Sequence, residues 1–133
     1  MANDANPVKG TVFKNSMAVN LARVVDVDDS NLVQSSVQSC TYTIYELDEH
    51  DENGETAVTG HDGASVTVST SFFASLQTDS IWDKDSTGFN FKHAIDNSSN
   101  EAFPNRGKVY LVVYNIVTTS SDKIRLEFRL WCE

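Results

Sequence analysis

From Ile124 to Cys132 the chain alternates strictly: Ile124, Leu126, Phe128, Leu130 and Cys132 share one face, and Arg125, Glu127, Arg129 and Trp131 share the other. A period of two predicts a half-buried antiparallel strand, because a helix would scatter these residues without a coherent apolar stripe. Just upstream, Lys108–Val117 is apolar on both faces, with Val109, Leu111, Val112, Val113 and Ile116 set around Tyr110 and Tyr114. This predicts a strand that is central or covered on both sides. Thr118–Asp122 reads as a turn between the two, so the pair is a β-hairpin.

Four more segments carry the strand period. Val37–Leu47 places Cys40, Tyr42 and Ile44 opposite Thr41, Thr43, Tyr45 and Leu47. Met17–Val25 precedes a turn-like Asp26–Asn31, Ala64–Thr70 is short, and Gly88–Ile95 aligns Phe89, Phe91, His93 and Ile95 on one face. Ser71–Leu76 reads as one helical turn capped by Ser71. The spacing of these segments predicts an all-β fold: an antiparallel β-sandwich of immunoglobulin-like type, with about seven strands and at most one short helical turn. Residues 15–133 form a single domain in this reading, and residues 1–14 read by composition as a flexible arm, the alternative being an ordered edge segment.

Composition narrows the partners. The chain has 133 residues with 10 basic and 19 acidic side chains, a net charge of −9. A chain of this length buries about two-thirds of its surface and needs no metal or disulfide to hold its core. The negative balance repels phosphate backbones and argues against nucleic acid. No apolar run suits a secretory signal or a bilayer crossing, so the expected location is cytoplasmic or virion-associated, with no membrane partner. Cys40 and Cys132 each fall in a strand-like segment and read first as small buried hydrophobes, with a disulfide between them as the alternative.

The densest charge is Glu46–Glu55, and seven acids lie between Glu46 and Asp62. Glu49, Asp51 and Asn53 mimic the start of a calcium loop, but the position of the closing bidentate carboxylate is Gly60. The run therefore reads as a solvated hairpin or loop whose like charges protect an edge, with Ca²⁺ a weak second reading at those three residues. His50, His61 and His93 lack paired ligand spacing, and His93 reads as a packed or edge histidine hydrogen-bonded to a neighbour. No nucleophile elbow or phosphate-cradling glycine loop occurs, so the expectation is a non-enzyme without a cofactor. Asn97-Ser98-Ser99 matches a glycosylation acceptor and mainly marks a surface loop. The remaining candidate is the loop around Trp82, where Asp83 and Asp85 flank an aromatic that either plugs one end of the sandwich or anchors a partner or sugar ring.

That loop carries a resemblance. Leu76-Gln77-Thr78-Asp79, Trp82, Asp85-Ser86, Gly88-Phe89-Asn90-Phe91 and His93 form a run similar to one in small uncharacterised proteins of prophage-like gene clusters. There, a segment like Tyr42-Thr43-Ile44-Tyr45-Glu46-Leu47 precedes it, and one like Gly107–Tyr114 follows in shifted form, so the likeness spans about residues 17 to 130. It implies a place in virion or tail assembly and carries over no catalytic residues. The leading expectation is a non-enzymatic structural or protein-interaction module, meeting a protein partner or itself. The alternative is a carbohydrate- or ligand-binding sandwich using Trp82, Asp83 and Asp85.

Overall fold

In the computed structural model, residues 8–12, 18–25, 31–48, 51–78, 88–95 and 101–133 are described, with backbone alone for 8–12, 48 and 51–54. Among them are nine strands: β1 (Val8–Val12), β2 (Val19–Ala22), β3 (Val37–Asp48), β4 (Asp51–Ala57), β5 (Ala64–Ser65), β6 (Phe72–Gln77), β7 (Phe89–Ala94), β8 (Val109–Thr118) and β9 (Lys123–Cys132). One helical turn, α1 (Val68–Ser71), and a 3₁₀ turn at Gln34–Ser36 complete the elements. No helix among the described residues is long and apolar enough to cross a membrane. The fold is an all-β sandwich.

The larger sheet runs β1-β9-β8-β3-β4, with β5 also on β3; the smaller runs β2-β7-β6. The β8–β9 hairpin forms in the expected register, Tyr114 opposite Leu126 and Ile116 opposite Ile124. Its turn is closed by Thr118, whose hydroxyl accepts from the Asp122 amide at 3.0 Å. β8 is central and buried on both faces, because Leu111 and Val113 on its outer side are as hidden as Tyr110, Val112 and Tyr114 on its inner side. The inner face of β9 is buried at all five alternating positions from Ile124 to Cys132.

Three elements differ from the sequence reading. Ser71–Leu76 is not a helical turn: the turn comes earlier, at Val68–Ser71, and Phe72–Gln77 is strand β6. Pairing decides it, since Phe72 lies opposite Phe91 and Gln77 opposite Phe89, with the extra residues of β6 bulged out. The Ala64–Thr70 strand shrinks accordingly to Ala64–Ser65. Val8–Val12, inside the segment read as an arm, is the edge strand β1, and it runs parallel to β9, so the sheet is not wholly antiparallel.

The acidic run is a hairpin, β3 turning into β4 with Asp48 opposite Asp51. It forms the edge of the large sheet, where like charges hinder further pairing. Both cysteines are free and buried. Cys40 lies opposite Ile116, itself opposite Ile124, whereas Cys132 is at the far end of β9. The separation along the strand is roughly 27 Å, far beyond the reach of a disulfide. Burial pushes the Cys40 thiol up to about 12.

Two local devices fix the chain between strands. Gly88 has φ 105°, and a Cβ there would collide with the Gln77 carbonyl oxygen, so only glycine brings β7 this close to β6. Asn90 faces the outer side of the small sheet and uses its whole amide. Its Oδ1 accepts from the Val24 amide at 2.7 Å, and its Nδ2 donates to the carbonyls of Val24 and Leu32, both at 2.8 Å. The Val24 carbonyl also accepts from the Leu32 amide at 3.0 Å beside the short Val25–Asn31 bridge, and the side chain supplies the partners that the Val24 amide and the Leu32 carbonyl would otherwise take from a strand. Replacing Asn90 with Leu should cost about 2–4 kcal/mol in urea denaturation, because the buried Val24 amide and Leu32 carbonyl lose their partner. Asn115→Ala, on an exposed position of β8, should stay within about 0.5 kcal/mol.

Candidate functional site

Strand register places the outward residues of the large sheet in rows. One row is Leu47, Val109 and Trp131, from β3, β8 and β9. The next is Tyr45, Leu111 and Arg129, and the one beyond it Thr43, Val113 and Glu127. Apolar side chains thus gather at one end of this face, and an Arg125–Glu127 ion pair marks the other. Trp131 is 44% exposed, although alternation on β9 put it among charged neighbours. A large aromatic standing on an apolar sheet row is the usual anatomy of a contact surface rather than of a solvated face.

Behind this face lies a buried polar network. Tyr114 on β8 points into the space between the sheets, where Asn20 Nδ2 donates to its hydroxyl at 2.9 Å and His93 Nδ1 lies 2.8 Å away. The phenol proton has His93 Nδ1 as its acceptor, which leaves that ring as the Nε2–H tautomer. Tyr42 on β3 meets His93 in a tilted ring contact at 4.9 Å, and its hydroxyl lies 2.7 Å from His61 Nδ1. Burial, and then the neighbouring His61, lower His93 to about 4. Burial likewise drives the Tyr114 phenol well above its ordinary range. His93 and Tyr114 are therefore both uncharged near neutral pH.

A second cluster ties the β3–β4 end to the chain before β8. Tyr110 donates to Glu46 Oε2 at 2.9 Å and accepts from the Asn105 amide at 2.9 Å, while Asn105 Nδ2 donates to the same carboxylate at 2.8 Å. Glu46, the first acid of the acidic run, is therefore a structural acceptor. This clamp seats Phe103, fully buried, edge-on against Tyr110.

The sequence candidates fare unevenly. Trp82, Asp83, Asp85 and Glu49 lie outside the described residues, as do His50 and Asn97. Asp51 and Asn53 sit on β4, the edge strand, with backbone alone described. Among the described residues no group of three histidine, cysteine or acidic side chains is placed to hold a metal. His93 is the packed, hydrogen-bonded histidine its strand position suggested. The Trp131–Val109–Leu47 row was missed, because it appears only once three strands are set in register. No protein-family model matches the chain, and no curated protein or solved structure is similar to it.

The histidine gives a pH signature. Its value falls from an ordinary 6.5 to about 4, so the folded chain binds fewer protons there than the unfolded chain within that window. Its contribution is complete above the window and is lost as pH falls through it. Urea denaturation of the wild type should show stability declining from pH 6.5 to 5, above the carboxylate range, with a slope no steeper than about 1.4 kcal/mol per unit from this group. His93→Gln, which keeps an acceptor for Tyr114, should flatten that slope.

Proposed function

We propose that this chain is a non-enzymatic protein-interaction module of immunoglobulin-like architecture, acting as an assembly component through the outer face of its large sheet. The observation that carries the reading is the outward row Leu47, Val109 and Trp131, an apolar strip across three strands with the indole 44% exposed. A protein partner, or a second copy meeting the first face to face, would cover it.

The architecture supports this. The strand order β1-β9-β8-β3-β4 over β2-β7-β6, with β1 parallel to β9, supports an immunoglobulin-like reading of the variable type. Tyr110, near the start of β8 and bonded to the backbone amide five residues upstream, has the form of a tyrosine corner. The non-enzymatic part rests on the histidines. In the two described, His61 and His93, Nδ1 lies against a tyrosine hydroxyl, where a nucleophilic triad would need an orienting carboxylate. The likeness to proteins of prophage-like clusters favours a place in a phage-like particle, which remains an analogy of company and not of site.

Sedimentation of the full chain from micromolar to millimolar concentration should show a reversible dimer, strengthened by salt because two acidic copies repel. Trp131→Glu should weaken the association at least tenfold while shifting stability by about 0.5 kcal/mol or less. A monomer at every concentration, with no partner retained by immobilised protein, would sink the proposal.

A further inference from the structure

The small sheet has a gap on the side away from β2. β6 meets β7 at Phe72 opposite Phe91, and toward its N-terminus the chain leaves the sheet through α1. β7 runs on past that point as Lys92, His93 and Ala94. Between α1 and this overhang lies a cleft of about 590 Å³, bounded on the α1 side by Ser65, Thr67, Ser69, Thr70 and Ser71 and on the other by Lys92. That size falls within the span of small-molecule sites, roughly 300–1,000 Å³, and exceeds the needs of a bare ion.

The lining is chemically one-sided. The chain carries 19 acidic residues against 10 basic ones, yet among the described residues no carboxylate borders this cleft. Lys92 forms no ion pair among the described residues. Ser71 is only 4% exposed, and its hydroxyl makes no hydrogen bond among the described residues, as is also true of Ser65, Thr67 and Ser69. No buried side-chain nitrogen or oxygen among the described residues lacks a partner, so the Ser71 hydroxyl oxygen is the part of this residue that stays open to the cleft and available to its contents.

Backbone adds to this. Ile95 donates its amide to the Ala18 carbonyl on the β2 side. Alternation along the strand then turns the backbone groups of Ala94 the opposite way, toward the gap. His93 also borders the cleft. Phe73 supplies an apolar wall.

We propose that this cleft is a binding site for a small phosphate or sulfate ester, the oxyanion held by the Lys92 ammonium and the hydroxyls of Ser71 and its neighbours, and the neutral body lying along Phe73. Hydroxyls, an ammonium and backbone N–H groups are the donors such oxygens require, and a carboxylate would repel them. The site is independent of the sheet-face contact, so Trp131→Glu leaves it intact.

Calorimetric and NMR titrations at low ionic strength test it, with glucose 6-phosphate, glucose, inorganic phosphate and sulfate as probes. The sugar phosphate should bind saturably and perturb the amides of Ser71, Lys92 and Ala94, with the inorganic anions weaker and glucose silent. Lys92→Met should weaken binding about tenfold, equivalent to about 1.4 kcal/mol. Lys92→Arg should largely restore it, and Ser71→Ala should weaken it several-fold, each with an unchanged thermal midpoint. No saturable shift with any anion would overturn the proposal. So would glucose binding as tightly as its phosphate, or a Lys92→Met variant that binds like the wild type.

Discussion

One phenol holds the two sheets to each other. Tyr114 on the central strand is fully buried, and its hydroxyl has to find partners away from water. It finds them only across the gap, on Asn20 of β2 and His93 of β7. Apolar packing alone would let two sheets slide over one another at small cost. A buried donor and acceptor with fixed partners do not allow that, because each residue of displacement leaves polar atoms unpaired. The surrounding rings follow the same registration: Phe91 meets Tyr114 at 4.8 Å and Phe128 meets it at 5.7 Å, both nearly edge-on. The position of the small sheet, and hence of everything its strands carry, follows from this contact.

Asn90 does for the surface of the small sheet what Tyr114 does for its interior. Both carry polar groups within strands whose neighbouring residues are mostly apolar, Phe89 and Phe91 beside Asn90 and Val112, Val113 and Ile116 around Tyr114. Their role could not be read from local pattern, since each bonds groups more than twenty residues away in the chain. By contrast, the β8–β9 hairpin and the inward faces of β3 and β7 were legible, because burial imposes a period of two that the residues themselves display. The acidic hairpin was legible as an edge for the same kind of reason. Charge density forbids burial on both sides.

The elements that escaped are those fixed by tertiary pairing. Phe72–Gln77 follows a run of serine and threonine that could serve as a helix cap, and only its ladder with β7 makes it a strand. β1 joins a partner more than a hundred residues away and in parallel, an arrangement that leaves no local trace. The same holds for the candidate sites. Trp131 looks like one of several outward residues until register sets it beside Val109 and Leu47, and the hydroxyls around α1 look like ordinary loop composition until β7 is seen to overhang them.

The parallel pairing of β1 with β9 also has a mechanical meaning. Because the two strands run in the same direction, the start of β1 and the end of β9 lie at opposite ends of the sandwich. Tension drawn between those points slides one strand lengthwise past the other, so the ladder from Val8–Phe128 to Val12–Cys132 is loaded together rather than one bond at a time. An antiparallel partner at the same edge would place both points at one end and peel open sequentially. Rupture in the sheared geometry is limited by the rate of a concerted opening. Under such tension β1 would carry the load along its whole ladder at once.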